Sequence, residues 1–193
     1  MKIFDKDLEK DILIIGEIGI NHEGNLNEAK KILKIAAESG IDAVKFQIFN
    51  INKYESKNNL ERFKRLKNFN LTDKDYLYLF KEARKLKINV LATPLTEDKV
   101  ELAGRFGEVI KVASGDINFY PTIDKIIELK KKIILSTGNS TLNEIRKTTT
   151  YIKNKSKRAY RNLSILHCVS LYPTPIEDAN IGKINILKKI YPK

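Results

Sequence analysis

The chain has 193 residues, enough for one sizeable hydrophobic core but too few for two domains of typical size. Its 42% hydrophobic and 31% charged residues are typical of a soluble globular protein. No stretch approaches the roughly 20 apolar residues that span a bilayer, and the N-terminus does not resemble a secretory signal. A single cysteine excludes an internal disulfide framework and favours a reducing compartment. We therefore expect a cytoplasmic protein with no membrane partner.

The formal charge of +12 raises the question of nucleic-acid binding. The lysines are spread along the whole chain, with local concentrations only at residues 130–132 and 153–161. No basic motif with interleaved aromatic residues accompanies them. We interpret the charge as a solvated surface that at most steers anionic substrates inward, and we expect no nucleic-acid partner.

Six short apolar runs alternate with amphipathic helical patterns along the chain. The runs cover residues 11–19, 42–49, 88–94, 108–115, 132–138 and 163–170. Helix starts are predicted at Asn25, at Thr72 with Asp75, and at Thr141 with Glu144. A last helix is predicted over about 180–190. Strict alternation of this kind predicts a parallel sheet covered by helices.

Polar residues near the carboxyl end of every run decide between a doubly wound sheet and a barrel. They are Glu17, Lys45, Gln47, Thr93, Lys111, Ser114, Ser136, Thr137 and His167. A ring of such groups is typical of the active face of a TIM-type (β/α) barrel. The first turn also lacks the glycine pattern of a dinucleotide-binding sheet. Because such barrels usually have eight units and about 250 residues, we predict a single, incomplete barrel domain of about six units over 1–193.

Each of these residues also has a purely structural interpretation. Glu17 could be a buried carboxylate paired with Lys45 or Lys111, but two lysines exceed the need of one carboxylate. With Ser114, Ser136 and Thr137 they favour a site for a small, multiply charged anion. A lone histidine such as His167 is more often a core residue than a ligand. His22 is as consistent with orienting a loop as with catalysis, and Cys168 is expected in the core on the face opposite His167.

Two mechanisms fit these residues. The first is a Schiff-base aldolase with Lys45 or Lys111 as the nucleophile, its pKa lowered by a neighbouring cation. The second is a metal-assisted condensation of an anionic substrate with an aldehyde, in which Glu17 moves protons and lysines hold the anion. The residues alone leave both open.

Five segments in order resemble the sialic acid synthase family, which includes the legionaminic and pseudaminic acid synthases. They read IIGEIGINHEGNLNEAKKILKIAAESGIDAVKFQ, ATP, IKVASGDINFYP, IILSTGNSTLNEI and LHCVSLYPTPIEDAN. The resemblance covers about residues 10 to 185. It implies condensation of phosphoenolpyruvate with an N-acetylated amino sugar, such as N-acetylmannosamine, to a nine-carbon acid and phosphate. It therefore favours condensation over the Schiff base.

The resemblance also implies roles for individual residues. Glu17 is similar to the acidic catalytic residue, His167 to one of two histidine ligands of a manganese-type ion, and Tyr172 to a residue of the loop on the sugar side. The residues that resemble phosphoenolpyruvate contacts are Lys45, Gln47, Thr93, Lys111, Ser114, Ser136 and Ser170.

The sequence departs from the family pattern in three respects. It shows no second metal histidine of the "SDH" type, so the predicted metal site is incomplete, and one imidazole binds a hard divalent ion weakly. It shows no seventh and eighth strand and no C-terminal antifreeze-like domain, which in the family's dimers reaches the partner's active site. The segment 50–72 is shorter than usual.

These departures leave three alternatives. The chain could be the N-terminal portion of a synthase whose remainder is lost, split off or encoded separately, so that it needs a complementing C-terminal fragment and could also form a homodimer. It could instead be a non-catalytic remnant that binds phosphoenolpyruvate or a synthase partner. It could also be a fragment that misfolds because its strand edges are open.

Overall fold

The structure, a computed structural model, describes residues 1–191. Its strands are β1 (Lys2–Ile3), β2 (Lys6–Asp7), β3 (Ile15–Gly19), β4 (Ala43–Ile48), β5 (Asn89–Pro94), β6 (Val109–Val112), β7 (Lys132–Ser136) and β8 (Leu163–Leu166). Its helices are α1 (Leu26–Glu38), α2 (Ile51–Tyr54), α3 (Leu60–Asn68), α4 (Asp73–Lys85), α5 (Val100–Gly104), α6 (Tyr120–Glu128), α7 (Leu142–Lys155), α8 (Lys157–Arg161), α9 (Ile176–Ala179) and α10 (Lys183–Ile190). Short 3-10 turns occupy Glu97–Lys99 and Ser114–Asp116.

Local side-chain contacts fix the starts of the long helices where the sequence predicts them. The Asn25 side chain accepts hydrogen bonds from the backbone N–H groups of Asn27 and Glu28 at the start of α1. Helices α4 and α7 each begin with a complete capping box, formed by Thr72 with Asp75 and by Thr141 with Glu144. These contacts satisfy backbone donors that a helix start otherwise leaves unpaired.

Strands β3 to β8 form one parallel sheet in which the spatial order of the strands is their order along the chain. Apolar residues on one face of this sheet, such as Val44, Val90 and Ile133, pack with the helices in one large core. Within residues 1–191, the apolar cluster on the other face contains no helix residues and includes residues of the N-terminal hairpin β1–β2. Sequential parallel strands with helices on one face form the wall of a barrel, whereas a doubly wound sheet has helices on both faces. The predicted barrel-type architecture is therefore confirmed.

The N-terminal hairpin closes the bottom of the barrel interior. Ile3 is fully buried and packs with Ala43, Leu91, Val109 and Ile134 from four strands. The sequence did not predict this hairpin, because each of its strands has only two residues and no alternation could appear.

The segment between β4 and α4 also differs from expectation. The sequence predicts no element there, but the segment forms helices α2 and α3, whose Ile51 and Leu66 are buried with Phe49. These helices lie beyond the carboxyl end of β4, the end that carries the predicted site. Within residues 1–191 no strand pairs with the outer side of β3 or β8, so the wall remains open at both edges. In the same range no helix has the length and apolar character to cross a membrane.

Candidate active site

The interior face of the sheet is built in two layers, an apolar floor and a polar layer above it. Each polar residue of the upper layer follows an apolar residue of its own strand by two positions, and successive residues of one parity share a face. The pairs are Ile15 and Glu17, Ala43 and Lys45, Leu91 and Thr93, Val109 and Lys111, and Ile134 and Ser136. The structure thus brings five of the predicted strand-end groups to one face, at the carboxyl ends of β3 to β7.

Lys45 and Glu17 form an ion pair in the polar layer. Lys45 Nζ lies 2.8 Å from Glu17 Oε2, and the two residues are direct neighbours in the register of β3 and β4. The Lys45 side chain is only 2% exposed, whereas that of Glu17 is 57% exposed. Burial lowers the pKa of Lys45, Glu17 partly opposes this, and nearby Lys111 lowers it further. The buried ammonium is therefore poised to gain from a second negative charge.

Gln47 extends this polar layer beside Lys45. A Cβ placed on Gly19, which has φ +58°, would lie 3.2 Å from Gln47 Oε1, so this glycine leaves room for the amide. Lys111 is half-buried and forms no ion pair among the described residues. Two lysines thus face one carboxylate, which leaves the layer with excess positive charge.

Two hydroxyl groups of the same layer lack hydrogen-bond partners. Thr93 Oγ1 and Ser136 Oγ are buried, and neither has a partner among residues 1–191. Buried polar groups are nearly always hydrogen-bonded, so two buried hydroxyls without partners indicate a missing partner such as a ligand. Both are donors and acceptors, as an anion or an ordered water requires.

Gly138 allows the ends of β6, β7 and β8 to approach closely. Its backbone N–H donates to Ser114 Oγ over 3.0 Å. A Cβ at this position would lie 2.5 Å from Ser170 Oγ and 2.9 Å from Ser114 Oγ. Ser114 and Ser170 therefore both lie close to the turn that follows Ser136.

His167 does not belong to the polar layer. Register pairs Ser136 with Leu166, so Leu166 occupies the interior face of β8 and His167 follows the last residue of the strand. Its Nε2 lies 2.7 Å from the Ala179 carbonyl oxygen. Because a carbonyl only accepts, the ring donates through Nε2–H. The strand thus ends at Leu166, directly before His167, a boundary that the pattern of the run 163–170 did not reveal.

The described residues do not fit a divalent metal site. Within residues 1–191 no group of three or more histidine, cysteine, aspartate or glutamate side chains is arranged to hold an ion. His167, the predicted ligand, offers one imidazole whose Nε2 already donates to a carbonyl. A single imidazole is a weak site for manganese.

Three other residues from the sequence analysis take clear positions. His22 is 1% exposed, lies among Phe46 and Tyr76, and accepts from the Gly24 N–H through Nδ1 over 3.1 Å. Its position on the helix-facing side indicates the loop-orienting role. Cys168 is only half-buried and its Cβ would contact a Cβ on Gly138, so the expectation of a core cysteine is wrong. Tyr172 is 96% exposed.

Sequence reasoning missed Asp116 and Tyr54 near the same end of the sheet. Asp116 ends the 3-10 turn that begins at Ser114, and burial raises the pKa of its carboxyl. The ring of Tyr54 in α2 packs against that of Phe49 in a tilted arrangement, with centroids 5.0 Å apart, and its phenol lies near the charges of Arg62 and Asp116. The signal for Asp116 was its place two residues after Ser114; Tyr54 lay in a segment with no predicted element.

The polar layer can bind a compact anion that carries more than one negative charge. One end of the barrel interior holds two ammonium groups, two hydroxyls without partners, and the cluster of Ser114, Gly138 and Ser170. Ammonium and hydroxyl donors of this kind suit phosphate and carboxylate groups. Glu17 adds a solvent-accessible carboxylate within the same layer that can accept or donate a proton.

Comparison with known proteins identifies relatives of this chain. The chain is 37% identical to the N,N'-diacetyllegionaminic acid synthase of Campylobacter jejuni, over 94% of this chain and 58% of that protein. It spans between 52% and 58% of the lengths of the curated relatives it matches.

Solved structures share the fold of this chain. The N-acetylneuraminic acid synthetase of Leptospira borgpetersenii, in complex with citrate, superimposes with a TM-score of 0.86 and 32% identity, covering 93% of this chain and 62% of that one. A truncated 3-deoxy-D-arabino-heptulosonate 7-phosphate synthase of Thermotoga maritima shares the fold, with a TM-score of 0.66, 15% identity, and coverage of 92% of this chain and 60% of that one. The sequence profile of the NeuB family matches residues 32–193. The resemblance seen in the sequence is thereby confirmed, and the chain belongs to the NeuB family.

Proposed function

We propose that this chain supplies the phosphoenolpyruvate-binding part of a nonulosonic acid synthase in surface carbohydrate biosynthesis. In the reaction, C3 of phosphoenolpyruvate forms a carbon–carbon bond with the aldehyde carbon of an N-acetylated amino sugar. Water then adds at C2, and the C2–O bond breaks to release inorganic phosphate. The names of the relatives, which are legionaminic, pseudaminic and neuraminate synthases, support this proposal.

The buried Lys45 ammonium carries the proposal. A buried charge is costly unless it is paired, and Glu17, the one ion-pair partner of Lys45 among the described residues, is more than half exposed to water. Thr93 Oγ1 on β5 and Ser136 Oγ on β7 lack any partner within the described residues. The phosphate and carboxylate of phosphoenolpyruvate would supply the negative charges and acceptor atoms that this layer lacks.

Glu17 is the proposed proton acceptor. Its carboxylate is held 2.8 Å from Lys45 Nζ and remains accessible to water, so it can take the proton of the water that adds at C2. Tyr172, almost fully exposed beside Ser170, is proposed to line the side where the amino sugar binds. The manganese ion stays a prediction, because residues 1–191 do not by themselves form its site.

Thermal unfolding with phosphoenolpyruvate tests the proposal. A ligand that binds only the folded chain adds about 2.7 kcal/mol of stability at a hundred times its Kd. We expect a cooperative transition whose midpoint rises with phosphoenolpyruvate and rises much less with an equimolar mixture of pyruvate and phosphate. A cooperative transition that ignores phosphoenolpyruvate at millimolar concentration would refute the anion site.

Schiff-base chemistry is the second candidate, and the lowered pKa of Lys45 favours it, because a neutral amine is the nucleophile. Borohydride reduction in the presence of pyruvate separates the two. A condensing synthase should gain no mass, whereas an aldolase should be trapped at Lys45 with one reduced pyruvyl group attached.

A further inference from the structure

The segment 171–182 connects β8 to α10 and depends on very few contacts. Its side chains are mostly exposed, including Tyr172 at 96%, Ile176 at 91% and Ile181 at 69%. Its described hydrogen bonds include Thr174 Oγ1 to the Leu171 carbonyl, internal to the segment, and Lys183 N–H to the Asn180 carbonyl, which joins it to α10. A segment with so little packing opens easily.

One hydrogen bond ties the segment 171–182 to the end of β8. His167 Nε2 donates to the carbonyl oxygen of Ala179 over 2.7 Å, across twelve positions of sequence. Among the described residues, every other hydrogen bond of the segment stays within it or leads to α10. This contact closes residues 167–179 into a compact loop whose ends are held together.

The closed loop lies beside the anion site. A cavity of about 910 Å³ is lined by Thr137, His167, Ser170, Leu171 and Asp178, among others. Ser170 and Tyr172 lie inside the closed loop, and Ser170 Oγ is placed against Gly138. Release of Ala179 would free this stretch from the ends of β7 and β8.

We propose that His167 is a positioning residue that anchors the segment 171–182 through Ala179, and so holds Ser170 and Tyr172 beside the anion site, instead of ligating a metal. The disagreement with a metal role rests on geometry. His167 follows β8 outside the polar layer, and its Nε2 is already engaged with the Ala179 carbonyl oxygen. The consequence for substrate rests on the proposed function; the anchor itself does not.

The imidazole tautomer gives a direct test on the unmodified chain. The sequence has only two histidines, so nitrogen NMR of the rings is simple to assign. We expect His167 as the Nε2–H tautomer at neutral pH, with slow exchange of its ring proton. An Nδ1–H tautomer would remove the donor and overturn the proposal.

Substitutions test the anchor independently. His167→Phe keeps a ring but removes the donor, and should speed hydrogen exchange of the Asp178 and Lys183 amides roughly fivefold, as loss of one neutral hydrogen bond predicts. His167→Gln, whose side-chain amide can donate, should restore part of the protection. Thr174→Val removes a bond internal to the segment and should leave these amides unchanged. Equal exchange in His167→Phe and the wild-type chain would contradict the anchor.

Calorimetric titration with MnCl2 decides between anchor and ligand. We expect equal, weak binding by the wild-type chain and His167→Phe; a tenfold or larger loss of affinity in the variant would assign His167 to a metal. Phosphoenolpyruvate is titrated into the same samples. If the wild-type chain does not bind phosphoenolpyruvate, the proposed function is wrong. The tautomer and the hydrogen-exchange rates still test whether His167 anchors the segment 171–182.

Discussion

Lys45 Nζ lies 2.8 Å from Glu17 Oε2, yet the lysine is 2% exposed and the glutamate 57% exposed. The pair is therefore asymmetric: only one of its charges has lost its water. Such a lysine costs stability unless further negative charge reaches it, whereas the carboxylate can stand alone in solvent.

Lys45→Met should separate binding from stability. The substitution removes the buried charge, fills similar volume, and leaves Glu17 solvated, so the free energy of unfolding should change by less than about 1 kcal/mol. The rise in melting midpoint with phosphoenolpyruvate should disappear. Lys64→Met, at an exposed position of α3, should keep that rise. Retention of the phosphoenolpyruvate effect in Lys45→Met would argue against the buried ammonium as the anchor of the anion.

The unpartnered hydroxyl of Ser136 allows a similar separation. Ser136→Ala removes a buried group that has no partner in residues 1–191, so stability should stay equal or rise slightly, while phosphoenolpyruvate binds more weakly. Thr148→Val is the matched control, because the Thr148 hydroxyl is buried but donates to the Ile117 carbonyl over 2.9 Å. It should lose about 1 to 3 kcal/mol of unfolding free energy with unchanged ligand affinity. Urea unfolding and ligand titration of both variants check this opposite pattern.

The sequence predicted the six long strands because each is a short apolar run bounded by helix signals. It also predicted the polar layer, since alternation in β4 alone places Lys45 and Gln47 on one face. It could not show on which side of the sheet His167 lies, because polar and apolar residues do not alternate in the run 163–170. Only the pairing of Leu166 with Ser136 sets which residues of β8 face the barrel interior. The unpaired state of Thr93 Oγ1 is likewise a property of packing that no local pattern records.

His22 should make stability fall in mild acid. Burial lowers the pKa of His22 from 6.5 to about 4 in the folded chain. The unfolded chain therefore binds more protons between these values, and stability is lost as pH falls from about 6.5 towards 4. The loss attributable to His22 between pH 7 and pH 5 should be about 2 kcal/mol.

Urea unfolding at the two pH values measures this loss. His22→Asn, whose side-chain oxygen can still accept from the Gly24 N–H, should show a pH dependence that is shallower by that amount. Parallel curves for variant and wild type would mean that folding does not lower the pKa of His22.

The N-terminal hairpin should contribute strongly to stability despite its two-residue strands. Ile3 is fully buried against the floor of the barrel interior, so Ile3→Ala should cost about 2 to 5 kcal/mol. Ile12→Ala, at a residue that is 81% exposed, should change stability by less than about 0.5 kcal/mol. Urea unfolding midpoints of the two variants check this. Equal midpoints would mean that the hairpin does not contribute to the cooperative unfolding of the chain.

Gly138→Ala tests whether the close approach of three strand ends forms the anion site. The new Cβ would lie 2.5 Å from Ser170 Oγ and 2.9 Å from Ser114 Oγ, so both hydroxyls must move. Ser170 is exposed and can rotate away, which keeps the expected loss of stability to about 1 kcal/mol, at the low end for overpacking. The affinity for phosphoenolpyruvate should fall further, because two of its proposed donors are displaced together. Gly182→Ala, whose Cβ would meet nothing within 4 Å, should bind like the wild-type chain. If both glycine variants bind phosphoenolpyruvate equally well, the cluster of Ser114, Gly138 and Ser170 does not contact the ligand. The site would then be confined to Lys45 and its neighbours on β4 to β7.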